Sequence, residues 1–116
     1  MTVDKSMTKY ICSILLLKPT IMMSWGFESP VAINQGLRFR TNGFIHKGVV
    51  EIYYNQGVDL FDIRLLKNET EIIKLISNVY VDELVEILDL YIEKVDNYQM
   101  RVNQEYNLLS NNDTVN

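Results

Sequence analysis

Residues 36–66 read GLRFRTNGFIHKGVVEIYYNQGVDLFDIRLL. Apolar and polar side chains alternate on both sides of Asn42-Gly43, and that dipeptide is the strongest short hairpin signal in a sequence, because both residues tolerate the left-handed backbone of a type I′ turn. A two-residue loop there pairs Thr41 with Phe44, Phe39 with His46 and Leu37 with Gly48. Leu37, Phe39, Phe44, Val50 and Ile52 then share one face, and Arg38, Arg40, Lys47 and Glu51 the other. Strand side chains alternate with period two, so this clean sorting supports the assignment.

A second turn falls at Asn55-Gln56-Gly57. A three-residue loop would set Glu51 opposite Phe61. Pairing Tyr54 with Asp59 instead places Ile52 by Phe61, Val50 by Ile63 and Gly48 by Leu65, which keeps the apolar residues together. A slip of one residue would turn Phe61, Ile63 and Leu65 to water and forfeit roughly 1.5–3 kcal/mol of burial for each.

The flanks read as material to cover this sheet. Ser6 can cap a helix running to about Leu17, with Met7, Tyr10, Ile11, Ile14 and Leu15 at three- and four-residue spacings and Pro19 as its stop; a buried strand is the alternative over residues 7–17. Ile21, Met23, Trp25 and Phe27 alternate, so residues 20–27 are expected as the first strand, with a loop over 28–35 at Ser29-Pro30 and Asn34-Gln35-Gly36. Asn68-Glu69-Thr70-Glu71 has capping-box spacing, which suits a short helix over Ile72 to Ile76, while the isoleucines suit a further hairpin strand. Val81, Leu84, Val85, Leu88, Tyr91, Ile92 and Val95 keep an unbroken helical stripe, with Asp82, Glu83 and Glu86 early, where the helix dipole favours acids. The pattern continues through Tyr98, Val102, Tyr106 and Leu109. The sequence therefore predicts an α+β fold. An antiparallel meander of about four strands (20–27, 36–41, 44–54, 58–66) is packed on one face by an N-terminal helix and a long C-terminal helix over 80–98 or beyond. Residues 1–109 form a single domain and the polar tail 110–116 is disordered.

Composition sets limits. A chain of 116 residues with 47% apolar and 22% charged residues can bury a core without a metal or a disulfide. One cysteine, Cys12, excludes an internal disulfide and a cysteine-based zinc site, and one histidine, His46, excludes any site needing two imidazoles. The apolar run Tyr10–Leu17 is too short to span a bilayer and lacks a small-residue cleavage site, so a cytoplasmic protein without membrane association is expected.

Chemistry is sparse. The glycines are scattered singly, so no phosphate-cradling loop is present, and no nucleophile–histidine–acid set can be assembled with specificity. Glu51 and Asp62 face each other on the preferred register, an arrangement that raises one carboxyl pKa, but Lys47 and Arg64 are close enough to neutralise them. No catalytic, cofactor-binding or metal residues are proposed, and a non-catalytic protein is expected. The candidate surfaces are two. Arg38, Arg40, Lys47, Tyr53 and Arg64 lie on the outer sheet face, where basic groups beside an aromatic suit a protein partner or, as an alternative, single-stranded nucleic acid. Ile87 and Leu90 widen the apolar stripe of the C-terminal helix beyond what one sheet face needs, which suits a homodimer unless the N-terminal segment covers them.

Overall fold

The computed structural model describes residues 4–93. Two helices, α1 (Ser6–Leu15) and α2 (Pro19–Ser24), precede the strands β1 (Glu28–Ile33), β2 (Gly36–Asn42), β3 (Lys47–Asn55), β4 (Leu60–Leu66) and β5 (Ile72–Val79). A single 3-10 turn over Val81–Glu83 leads into α3 (Leu84–Ile92). The five strands form one antiparallel sheet in chain order, so the α+β meander is as expected with one strand more.

The dry face of this sheet is the one the alternation predicts. Leu37, Phe39, Val50, Ile52, Phe61, Ile63 and Leu65 are all buried on it. Ile11 and Leu15 of α1 and Leu84, Leu88 and Ile92 of α3 close over them, each with no exposed surface. Thr8 ties α1 to the sheet by donating its hydroxyl to the Gly36 carbonyl. Leu15 ends the helix before Pro19, which opens α2 instead, where its fixed φ suits the first helical position. Ser6 is the first helical residue rather than the cap; its N–H is taken by the Asp4 carboxylate at 3.0 Å.

Both hairpins keep the predicted faces while shifting the predicted partners. Leu37 pairs with Ile52 and Phe39 with Val50, four residues from the expected register. Ile52 pairs with Ile63 and Val50 with Leu65, two residues from it. Even shifts leave every side chain on its side. The first shift arises because Asn42-Gly43 is not a two-residue turn. The loop is Gly43–His46, and it serves as a cap for α3: the N–H groups of Ile45 and His46 both donate to the Ile92 carbonyl, at 2.9 and 3.1 Å. Phe44 donates its N–H to the Glu93 carboxylate at 2.9 Å, and its ring, expected inward, is 44% exposed. Gly43 is required by close approach, since a Cβ there would collide with the Ile92 carbonyl.

Three local expectations are corrected. Residues 20–27 are not the first strand: Met23 is exposed, whereas Trp25 is buried and Ile21 and Met22 are half-buried, which is helical spacing. The segment read as a loop, 28–35, supplies β1 and a tight turn at Asn34-Gln35, with Gln35 at φ 59°. Pro30 is tolerated there because β1 is an edge, with a bulge between Glu28 and Val31. Of the two readings left open after Asn68, the hairpin strand is the one found, over Ile72–Val79: Asn68 Oδ1 does accept the N–H groups of Thr70 and Glu71, but that wrap closes a hairpin in which Lys67 donates to the Glu71 carbonyl. The helical segment Val81–Ile92 is shorter than the helix expected over 80–98; the weaker stripe through Tyr98, Val102, Tyr106 and Leu109 and the polar tail 110–116 lie outside the described residues.

Gly43→Ala is expected to lower stability by about 1–3 kcal/mol in urea unfolding, because the loop and the end of α3 must separate. Gly57→Ala meets only the Asn55 side-chain oxygen, at 3.4 Å, and is expected to stay within about 0.5 kcal/mol of the parent.

Candidate functional site

The outer sheet face is organised around a carboxylate. Glu51 is 2% exposed although it lies on the face away from the core. In the middle strand it has Arg38 on one side and Arg64 on the other. Arg38 grips Glu51 Oε2 through Nη2 and through Nε at 2.8 Å. The Tyr53 hydroxyl donates to Glu51 Oε1 at 3.0 Å, and Arg64 Nη1 stands 3.7 Å from the same oxygen. The Arg64 guanidinium also lies over the Tyr53 ring, 4.5 Å from its centroid. Arg40 makes a looser pair with Glu69 at 3.3 Å, both ends well exposed.

This differs from the expected pairing of Glu51 with Asp62. The two-residue shift puts Arg64 opposite Glu51 and leaves Asp62 opposite Tyr53, with an Asp62 carboxylate oxygen accepting the Asn78 N–H at 3.2 Å. Two cations now flank one anion. The Tyr53 hydroxyl is held above its ordinary pKa by burial first, then by its bond to the Glu51 carboxylate.

The remaining predicted residues are placed elsewhere. Lys47 is exposed beside a shallow depression of about 290 Å³ shared with Ser24, Phe44 and Glu93. Ile87 and Leu90 flank a groove of about 480 Å³ between α2 and α3, together with Ile21, Glu86 and Asp89. The N-terminal segment thus covers part of the wide stripe on α3: Ile87 is half-buried, and Leu90 is 44% exposed. Under this groove the buried Trp25 donates its indole N–H to Asp89 Oδ1 at 2.9 Å, which satisfies the ring's one polar atom. His46 is buried by the loop; a carbonyl can only accept, so its Nε2–H donates to the Val49 carbonyl at 2.9 Å. No group of three or more His, Cys, Asp or Glu side chains suited to a metal ion occurs among the described residues. No helix among them is long and apolar enough to cross a membrane.

Sequence reasoning missed one surface. Strand β5 is an edge, and its Ile72, Ile73 and Leu75 are 53%, 58% and 57% exposed. Ile72 opposes Leu66 and Lys74 opposes Leu65, so Ile73 is the inserted residue of a bulge. Across the outer face, Arg40, Val49, Leu66 and Ile72 form one cross-strand row, in which Val49 and Leu66 are buried. The isoleucine run was the available signal, overridden by the capping-box spacing before it.

No family model, curated protein or solved structure matches the chain.

Glu51→Ala leaves Arg38 and the Tyr53 hydroxyl without their acceptor and is expected to cost about 3–5 kcal/mol in chemical unfolding, against about 1 kcal/mol or less for Arg64→Ala. A phenol whose folded pKa is raised stabilises the fold below its unfolded pKa, and that contribution is lost as pH rises through the folded pKa. Stability should therefore fall above about pH 10. Tyr53→Phe is expected to blunt that alkaline loss and to remove a late-ionising group from the phenolate absorbance titration.

Proposed function

We propose that this chain is a non-catalytic protein-interaction domain that works through the β5 edge. The supporting observation is the exposure of Ile72, Ile73 and Leu75 on a strand whose outer side has no neighbouring strand among the described residues. An edge strand presents backbone donors and acceptors ready to pair with another chain, and edges that must stay single are commonly guarded by charge or proline. The other edge has such a guard in Pro30 and the bulge beside it. Strand β5 carries one lysine and no proline among its eight residues. Apolar side chains beside open backbone groups are what strand addition uses, with pairing giving affinity and alternate side chains giving selectivity.

The nucleic-acid reading of the outer face draws less support, because Arg38 and Arg64 are both held on Glu51 and Arg40 faces Glu69.

A photo-crosslinking residue placed in turn at Ile73, Leu75 and Met23 tests the reading in the native host. Met23 is 73% exposed on α2, outside the sheet, and controls for general apolar exposure. Adducts are expected from the two β5 positions and not from Met23. Equal labelling at all three, or none at β5, would overturn it.

A further inference from the structure

The segment that forms α1 and α2 has a charge unlike the rest of the chain. Residues 5–27 hold three lysines and no acidic residue, while the whole chain carries a formal charge of −4. Lys5, Lys9 and Lys18 are all exposed, and among the described residues none of them is in an ion pair. Leu16 and Leu17 precede Lys18 at the corner between the two helices and are 59% and 74% exposed. No large apolar side chain among the described residues is more exposed than Leu17. We infer that this corner docks on an anionic lipid surface, with Leu16 and Leu17 entering the headgroup region and the three lysines held against lipid phosphates and carboxylates.

Helical geometry puts the two kinds of group on one side. At about 100° per residue, Lys5, Lys9, Ser13 and Leu16 fall within about 80° of arc. The winding continues past Leu15, since the N–H groups of Leu16 and Leu17 donate to the Cys12 and Ile14 carbonyls. Thr8, Ile11 and Leu15, on the other side of α1, are buried against the sheet. Ser13, between the lysines and the leucines, donates its hydroxyl to the Tyr10 carbonyl at 2.6 Å, so it can leave water with that bond intact. Acids close in sequence are Asp4, whose carboxylate accepts the Ser6 N–H, and Glu28 at the start of β1. Glu86 and Asp89 of α3 stand at the groove beside Ile21, and Asp89 is taken by the Trp25 indole. Repulsion from acids elsewhere in the chain fades over about 8 Å at physiological ionic strength, so the local lysines set the attraction. The expectation of no membrane association rests on the length needed to cross a bilayer; lying on its surface takes only an apolar tip beside cations. The contact is reversible, because two leucines and three lysines fall far short of a permanent anchor. The corner lies outside the sheet, so the inference is independent of the β5 reading.

Co-sedimentation of the full chain with lipid vesicles tests it. The parent is expected to bind vesicles of phosphatidylcholine mixed with phosphatidylserine in dilute buffer, to be released by high salt, and to leave pure phosphatidylcholine vesicles bare. Lys5→Gln/Lys9→Gln/Lys18→Gln should weaken partitioning by about a hundredfold, at about fivefold for each lysine. Leu17→Ser should weaken it by about tenfold. Lys67→Gln, exposed at the turn between β4 and β5, should stay within about twofold of the parent. Matching thermal melts check that these surface changes leave folding intact. Trp25 is fully buried, so brominated acyl chains should leave the parent's emission unchanged and quench the added indole of Leu17→Trp. Binding that does not need phosphatidylserine, a triple-lysine variant or Leu17→Ser that partitions like the parent, a loss in Lys67→Gln as large as in the triple variant, or an unquenched Leu17→Trp would each overturn the proposal. A parent that ignores every vesicle overturns it too, and lysine-dependent capture of that parent by poly-glutamate would assign the corner to an acidic protein instead. None of these outcomes alters the crosslinking expected at Ile73 and Leu75.

Discussion

Everything in this fold answers to one requirement, that one side of the sheet be dry. Leu37, Phe39, Val50, Ile52, Phe61, Ile63 and Leu65 can leave water together only if their strands alternate in phase, and only if something covers them. The cover comes from both ends of the chain, α1 and α3, so residues far apart in sequence meet on the same seven side chains. Because the apolar set lies on a period of two, strand partners can slide by an even number of residues at no loss of burial. The constraint that selects among the permitted slides is the end of α3. Its last carbonyl, that of Ile92, needs donors, and the loop Gly43–His46 supplies two.

That hierarchy explains what was legible in the sequence. The inward identities of Phe39, Ile52, Phe61 and Ile63 were legible because alternation encodes them directly. The pairing itself was not, because the turn is set by a contact with a helix some fifty residues away, and Asn42-Gly43 reads locally as a hairpin in its own right. The same conflict between local signal and distant contact misplaced residues 20–27. Their alternation is real, but Trp25 is held by the core and by Asp89, and a helical turn delivers it there while sending Met23 to solvent. At Asn68 the local motif left helix and strand both open. The side chain wraps the following N–H groups as a helix cap does, yet the chain continues as a strand because β4 offers it an edge to pair with.

The outer face shows a similar dependence on register. Arg38, Tyr53 and Arg64 were visible as one patch from parity alone, and they do lie together. What parity could not supply is that a shift of two residues converts two facing carboxylates into one carboxylate between two guanidinium groups. A patch that reads as basic in the sequence has its three guanidinium groups engaged by carboxylates in the fold. On this face exposed apolar side chains stand at the rim, where Ile72 continues a row that is otherwise closed by Val49 and Leu66.

The chain has one tryptophan, and its indole sits against Phe39 with ring centroids 6.4 Å apart while its N–H reaches across to α3. Its emission therefore carries the signature of a single junction, the place where the second helix, the sheet and the last helix meet. Loosening of that junction would redden the spectrum even where the strands remain paired, so the protein contains its own optical gauge for separating detachment of the helices from melting of the sheet.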